Sequence, residues 1–261
     1  MQVDVFTEEP CLGNPVAVVL DAEGLSTEEM QRFANWTNLS ETTFLLPSEA
    51  ADYKVRIFTP ERELPFAGHP TLGSCHAWLK GSAQDAITQE CEAGLIEIRR
   101  IDGRLSFAAP PLIRSGPAEE AEIQHAADVL NIAREEIVDA QWADNGPGWL
   151  AVLLRDAEAV LALQPGFVDF DLGVVGQSQT GWELRALYPH NGATTEDPVT
   201  GSLNASVAGW LLETGRATAP YVAHQGTAIG RAGRIHVSQD EDGQVWVGGG
   251  TVTLISGTVE L

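Results

Sequence analysis

A loop-to-helix signature occurs twice in this chain, once in each half. The first copy runs from Arg56-Ile-Phe-Thr-Pro60 to Gly68-His-Pro-Thr-Leu-Gly-Ser74. The second copy runs from Arg185-Ala-Leu-Tyr-Pro189 to Glu196-Asp-Pro-Val-Thr-Gly-Ser202. An apolar stretch that ends in Trp-Leu follows each copy. The repeat predicts two lobes of similar fold, and we expect the two helix starts to build one site on the seam between them.

The two copies place polar residues at matching positions. Aligned on their prolines, they pair His69 with Asp197, Gly73 with Gly201 and Ser74 with Ser202. Because proline favours the first helical position, Pro70 and Pro198 predict where the helices begin. His69 and Asp197 then lie at or next to the N-caps, where unpaired N–H groups can hold an anion. The alternative is that Asp197 is only a helix cap and His69 only a loop residue.

Glu41 is a further candidate for acid–base chemistry. It follows a predicted helix, precedes a predicted strand, and has the apolar neighbours Leu39 and Phe44. A carboxyl group buried among such neighbours would have a raised pKa and could shuttle a proton. The alternative is a solvated glutamate in a loop.

The charge balance excludes one class of partner. The 261 residues include 15 Lys and Arg against 37 Asp and Glu, a formal net charge of −22. Nucleic-acid binding requires a basic stripe, so we expect no nucleic-acid partner. No apolar run approaches the roughly 18 residues of a membrane span, and Met1–Phe6 has the pattern of a strand rather than a signal peptide. We therefore expect a cytoplasmic protein that does not enter a membrane.

The cysteines and histidines lack the spacing of metal ligands. Cys11, Cys75 and Cys91 are an odd number without a C-x-x-C pair, which argues against disulfides and a zinc knuckle. Cys75 follows the first signature on a predicted helix, so we expect a packed thiol there. The six histidines show no H-E-x-x-H spacing, and we expect no metal site.

Strands alternate with few helices, which predicts an α+β fold. Ser26 and Glu29 have the spacing of a capping box for a helix that ends near Trp36. Apolar helices are expected over residues 70–79 and 198–212, and a further helix over 119–130.

The segment 110–117 contains three prolines and a glycine and is the predicted linker. The resulting division is an N-terminal lobe of residues 1–114 and a C-terminal lobe of residues 118–256. A last strand at 257–261 is expected to return to the N-terminal lobe.

Four stretches together resemble the phenazine-biosynthesis isomerase (PhzF-like) family. They are Asn14-Pro-Val-Ala-Val-Val19, Ser40-Glu-Thr-Thr-Phe44, the run from Phe58 to Gly73, and the run from Glu196 to Ser202. The resemblance spans nearly the whole chain, because 226–237 and 247–249 fit the C-terminal part of the family. It implies the diaminopimelate epimerase-like fold, with two pseudo-symmetric lobes, each a curved mixed sheet or barrel around a central helix. It also implies a homodimer, a small anionic substrate and no cofactor.

The resemblance also implies roles for individual residues. The family's catalytic carboxylate, histidine and aspartate correspond to Glu41, His69 and Asp197. Its active-site serine corresponds to Ser202, and Gly73 with neighbouring amides matches the part that holds the substrate carboxylate. Further substrate-binding positions expected on this basis are Ser40, Gly68 and Gly201.

These residues predict isomerisation by general acid–base catalysis, with Glu41 removing and returning one proton. Related epimerases use a cysteine at the start of each helix, and here neither stretch contains a thiol. An epimerase or racemase of another amino-acid-like substrate and a non-catalytic binding protein for small carboxylates remain alternatives. A hydrolase with Ser202 as nucleophile is disfavoured, because no G-x-S-x-G elbow surrounds that serine.

Overall fold

The computed structural model describes all residues, 1–261. The chain forms two compact units, of which unit 1 comprises residues 1–108 and 248–261 and unit 2 comprises residues 109–247. Strands dominate both units and helices are few, which confirms the predicted α+β class. No helix has the length and apolar character that crossing a membrane requires.

The elements of unit 1 up to residue 108 are β1 (Gln2–Val5), β2 (Asn14–Val19), α1 (Thr27–Thr37), β3 (Glu41–Leu46), β4 (Tyr53–Phe58), β5 (Glu63–Leu64), α2 (Gly68–Leu79), β6 (Ala86–Cys91), β7 (Gly94–Ile101) and β8 (Arg104–Ala108). Those of unit 2 are β9 (Arg114–Pro117), α3 (Glu120–Leu130), β10 (Ile137–Asp144), β11 (Leu150–Leu154), α4 (Ala157–Ala162), β12 (Leu172–Gln177), β13 (Trp182–His190), β14 (Ala193–Asp197), α5 (Gly201–Glu213), β15 (Tyr221–Gln225) and β16 (Gly233–Gln239). The chain then continues through β17 (Val245–Gly249) and β18 (Thr251–Ile255), and short 3₁₀ turns occupy Arg134–Glu136 and Thr227–Ile229.

The strand pairing of unit 1 recurs in unit 2. In unit 1, β1 pairs antiparallel with β2, β2 parallel with β3, β3 antiparallel with β4, β4 parallel with β6, and β6 antiparallel with β7. In unit 2 the same alternation joins β10 to β11, β11 to β12, β12 to β13, β13 to β15, and β15 to β16. The apolar helices occupy the same place in each series, α2 before β6 and α5 before β15. The repeat seen in the sequence is therefore a repeat of topology.

The helix boundaries follow from local sequence. The predicted capping box of α1 is confirmed, because Ser26 Oγ accepts from the Glu29 N–H at 3.2 Å and the Glu29 carboxylate accepts from the Ser26 N–H at 2.8 Å. At the other end, Asn38 adopts the left-handed conformation with φ of 54°. This cap ends the helix three residues before Glu41 and turns the chain into β3.

Two expectations about the strands are wrong. Part of the predicted linker is a strand, because Arg114–Pro117 pairs antiparallel with β10. The strand that returns to β1 is β18, at Thr251–Ile255, whereas residues 257–261 lie outside any strand. In both places a backbone ladder formed with a distant strand outweighs the local sequence signal.

The central helix of unit 1 lies close to the sheet because one of its residues is glycine. The α2 helix packs against β1, β2, β3 and β8, and Gly73 is the sixth residue of the helix. A Cβ atom on Gly73 would lie 2.3 Å from Val16 Cγ1 and 3.2 Å from Val5 Cγ2, and both valines are fully buried. The absence of a side chain at Gly73 therefore sets the distance between helix and sheet.

We expect Gly73→Ala to destabilise the protein by about 1–3 kcal/mol, because the added methyl group overpacks a buried contact. The matched control is Gly209→Ala in α5, where an added Cβ has nothing within 4 Å. That variant should gain about 0.5–1 kcal/mol from helix propensity. Urea denaturation measures both changes, and an equal response of the two variants would contradict the packing role of Gly73.

Candidate active site

Unit 1 brings two of the predicted catalytic residues into contact. Glu41 is the first residue of β3, where it pairs with Val16 of the parallel strand β2, and His69 is the second residue of α2. The distance from His69 Nε2 to Glu41 Oε2 is 3.3 Å, and the two side chains are 5% and 16% exposed. The contact lacks hydrogen-bond geometry, as catalytic contacts often do before a substrate binds.

His69 is electrically neutral at physiological pH. Burial of the imidazole lowers the pKa of His69 to about 3, although a hydrogen bond to the backbone of Pro15 offsets part of the effect. Asn14 Nδ2 lies 3.4 Å from His69 Nδ1. The one proton of the neutral ring has two acceptors in reach, the Glu41 carboxylate and the Pro15 carbonyl. A neutral imidazole has one N–H that can donate a hydrogen bond and one ring nitrogen that can accept one.

The lowered pKa of His69 predicts a loss of stability in acid. Its pKa is about 3 in the folded protein against a reference of 6.5, so the unfolded state binds more protons as the pH falls below 6.5. Between these values the His69 contribution is lost at up to about 1.4 kcal/mol per pH unit. We expect the free energy of unfolding of wild type to fall more steeply over pH 6.5–3 than that of His69→Gln. Parallel slopes in urea titrations would contradict the burial of a neutral His69.

The second signature differs from the prediction in where its helix begins. The α5 helix starts at Gly201 with Thr200 as N-cap, so Pro198 precedes the helix instead of opening it. Asp197 is the last residue of β14, paired with Ala186, and neither the helical position nor the capping role expected for it is correct. The residue before a proline is held in an extended conformation, which keeps Asp197 in the strand.

Asp197 and Ser202 each have a partner that orients them. Asp197 Oδ2 accepts a hydrogen bond from Thr200 Oγ1 at 2.5 Å. Ser202 Oγ accepts one from Trp149 Nε1 at 3.1 Å, and Asn145 Nδ2 donates to the Ser202 carbonyl at 3.1 Å. The Ser202 hydroxyl proton remains available as a donor, next to the backbone N–H groups that open α5.

The predicted substrate-binding glycines occupy different positions in their helices. Gly68 and Gly201 are the first residues of α2 and α5, where backbone N–H groups have no partner within the helix. Gly73 is the sixth residue of α2 and is buried, and its expected contact with a substrate carboxylate stays a prediction. Pro70 is the third residue of α2 instead of the first. Ser40 immediately precedes β3 and is partly exposed.

The cysteines are not placed for thiol chemistry. Cys75 is fully buried within α2, which confirms the expected packed thiol, and burial raises the pKa of its thiol to about 12. Cys91 is also buried, with a raised pKa from the same cause, and Cys11 is exposed. No cluster of three or more His, Cys, Asp or Glu side chains has an arrangement suited to a metal ion.

Several residues that contact the predicted site residues of each unit were missed in the sequence. Asn14 and Thr200 fall inside the quoted motifs, so their positions were marked although their roles were not. No sequence pattern marks Trp149 or Gln225, because their partners Ser202 and Thr200 lie far from them in the chain. Only the tertiary contacts show what these residues do.

Units 1 and 2 repeat one strand topology, and in unit 1 a carboxylate touches a buried imidazole. The sequence profile of the PhzC-PhzF family, described as phenazine biosynthesis-like protein, matches residues 3–257. The chain belongs to this family, and it is an isomerase.

Two curated relatives align over nearly their full length. Antisense-enhancing sequence 1 of Schizosaccharomyces pombe is 36% identical over 98% of this chain and 96% of its own length. The trans-2,3-dihydro-3-hydroxyanthranilate isomerase of Pseudomonas aeruginosa is 33% identical over 93% of this chain and 90% of its own. An isomerase role therefore has support from a named enzyme that matches most of both chains.

Solved structures support the fold. The phenazine biosynthesis protein of the PhzF family from Enterococcus faecalis superposes with a TM-score of 0.83 at 26% identity, covering 100% of this chain and 98% of its own. A probable proline racemase from Agrobacterium radiobacter reaches a TM-score of 0.58 at 12% identity, covering 100% of this chain and 92% of its own. The second likeness extends to the fold alone, which is that of the diaminopimelate epimerase-like proteins.

Proposed function

We propose that this protein is an isomerase of the trans-2,3-dihydro-3-hydroxyanthranilate isomerase type. In this proposal it acts on a small carboxylate substrate by moving one proton. The observation that carries the proposal is the contact of 3.3 Å between the Glu41 carboxylate and the buried, neutral His69. The 33% identity with the Pseudomonas isomerase supports the substrate class.

In the proposed reaction, Glu41 takes a proton from a carbon next to a π system. The electron pair released from the C–H bond shifts the double bond, and Glu41 returns the proton further along the system. The substrate is neither oxidised nor reduced, so the proposed reaction needs no oxidant or reductant. A positioned general base of this kind contributes about 10²–10⁴-fold in rate.

The other predicted residues are proposed to bind and orient the substrate. His69 can give a hydrogen bond to a substrate hydroxyl or amino group. Ser202 offers its hydroxyl proton, and the N–H groups at the start of α5 add donors for a carboxylate. Asp197 is proposed to hold a hydroxyl or amino group of the same substrate.

The geometry of unit 1 disfavours an epimerase that uses Glu41 and His69 as its two bases. Inversion by two bases requires them on opposite faces of the reacting carbon. Glu41 and His69 touch each other at 3.3 Å, so they approach any substrate from one side. Removal and return of the proton on one face fits this pair.

The test is to incubate the enzyme with trans-2,3-dihydro-3-hydroxyanthranilate and with a panel of small amino and hydroxy acids. Proton NMR follows migration of a double bond, and optical rotation follows inversion of a stereocentre. The proposal predicts double-bond migration in the dihydrohydroxyanthranilate. Inversion of a panel compound instead, or saturable binding of the dihydrohydroxyanthranilate without any conversion, would refute it.

We also propose, from the family resemblance, that the enzyme works as a homodimer in the cytoplasm. Light scattering of the purified protein tests this proposal, because a dimer would have twice the 28.0 kDa mass of one chain. A monomer at micromolar concentration would refute this part, and fractionation of the source cells would test the compartment.

A further inference from the structure

We propose that Gln225 is a positioning residue, which fixes the orientation of Asp197 for catalysis through Thr200. The inference rests on the proposed function, because it assumes that Asp197 contacts the substrate. Gln225 lies outside both copies of the signature, at the end of β15 and just before the 226–237 stretch that matches the C-terminal part of the family.

Backbone groups fix the orientation of the Gln225 amide. The side chain is fully buried, and its Oε1 accepts from the backbone N–H of Thr200 at 3.0 Å. Its Nε2 donates to the backbone carbonyl of Asp197 at 3.1 Å. A backbone N–H can only donate and a carbonyl can only accept, so a flipped amide would break both bonds.

This orientation directs the hydroxyl proton of Thr200. Gln225 Nε2 also donates to Thr200 Oγ1 at 2.9 Å, so the hydroxyl oxygen acts as acceptor there. The hydroxyl proton is then free to go to Asp197 Oδ2, 2.5 Å away. The chain of donors ends on the carboxylate and fixes its rotamer.

Close packing holds the connecting segment in place. A Cβ on Gly226 would lie 2.5 Å from the Pro198 carbonyl oxygen, and one on Gly233 would lie 2.5 Å from Val199 Cγ2. Val199 is fully buried. The segment between Asp197 and α5 is therefore confined by the β15–β16 hairpin, and Gln225 supplies the polar contacts within that packing.

Unit 1 contains a buried glutamine that provides a matched control. Gln89 lies on β6, the counterpart of β15, and its Nε2 donates to Thr71 Oγ1 at 3.0 Å. Its Oε1 accepts from the Tyr53 hydroxyl at 2.9 Å. The two glutamines share burial and a threonine partner near the start of a central helix, but only the Gln225 chain ends on a predicted catalytic carboxylate.

The experiment compares Gln225→Leu, Thr200→Val, Thr200→Ser and Gln89→Leu by steady-state kinetics with trans-2,3-dihydro-3-hydroxyanthranilate. Thr200→Val removes the donor to the Asp197 carboxylate, and Gln225→Leu removes the contact that orients this donor. Each variant should lower kcat about tenfold or more. The KM should stay within about twofold, and the pH profile of kcat should change. Thr200→Ser should restore kcat, and Gln89→Leu should lose stability without a change in the pH profile.

Wild-type kcat and pH profile in a folded Thr200→Val would overturn the inference, and this variant decides the question if Gln225→Leu does not fold. Asp197→Asn distinguishes a failure of the positioning role from a failure of the role proposed for Asp197. If Asp197→Asn loses turnover while Thr200→Val does not, the proposed function stands and the positioning role fails. If Asp197→Asn is fully active, the proposed role of Asp197 fails and the inference fails with it.

Discussion

Glu41→Gln is expected to fold like the wild type and to lose about 10²–10⁴-fold in kcat. The amide matches the carboxylate in shape but cannot take up the proton of the substrate. Its packing should be retained, because the 3.3 Å contact with His69 can continue as a neutral contact. Steady-state turnover of trans-2,3-dihydro-3-hydroxyanthranilate measures the loss, and circular dichroism establishes that the fold is intact.

The control for this variant is Glu49→Gln. Glu49 is an exposed glutamate three residues beyond the end of β3, so its substitution makes the same change of charge at a site away from the contact between Glu41 and His69. It should leave kcat unchanged. If Glu41→Gln turned over at the wild-type rate, or if both variants lost the same activity, Glu41 would not be the base.

Arg185→Met is expected to destabilise the protein by about 3–5 kcal/mol, because it removes one partner of a buried ion pair. Arg185 and Glu196 are 8% and 7% exposed, with Nη2 and Oε2 2.7 Å apart. Arg185 Nη1 also donates to the Leu163 carbonyl at 3.0 Å. The variant leaves a buried carboxylate and a buried carbonyl without this donor, and urea denaturation measures the cost.

The matching ion pair in the first copy of the signature provides the control for Arg185→Met. Arg56 holds the aligned position in the first signature and pairs with Glu63 at 2.6 Å, but its side chain is 22% exposed and that of Glu63 is 28% exposed. Arg56→Met should cost about 1 kcal/mol or less, since water screens this pair. The double variant Arg185→Met, Glu196→Leu should recover much of the loss. Equal costs for the two arginine variants would show that burial of the pair does not set its contribution.

The sequence predicts the features that depend on local pattern or on repetition. The capping box at Ser26 and the duplicated signature led to the first helix and to the repeated strand topology. The motif around Glu41 and the one around His69 led to two side chains that the fold brings into contact. In each case the residues that decide the structure are neighbours in the chain or recur at a recognisable spacing.

The start of the second helix shows where local rules compete. Proline is common in the first turn of a helix, but it also holds the preceding residue in an extended conformation. At Asp197-Pro198 the second effect prevails, because Asp197 pairs with Ala186 in a strand and Val199 is buried. Sequence spacing alone does not show which of these contacts the segment makes.

Glycine and glutamine roles depend on contacts that lie far apart in the chain. Gly73 lies inside a recognisable motif, but the motif does not show that Val16 approaches it from another strand and leaves no room for a side chain. Gln225 has no distinctive neighbours, and its role follows from four hydrogen bonds to residues about 25 positions away. A single sequence does not show which residues far apart in the chain come into contact.

The reaction in heavy water tests most directly whether Glu41 moves the proton. Wild type and Glu41→Gln are incubated in parallel with trans-2,3-dihydro-3-hydroxyanthranilate, and NMR follows both the product and its deuterium content. We expect the wild type to form the isomerised product with solvent deuterium at one carbon, and Glu41→Gln to form neither product nor label above the uncatalysed level. Formation of the same labelled product by Glu41→Gln at the wild-type rate would contradict this expectation.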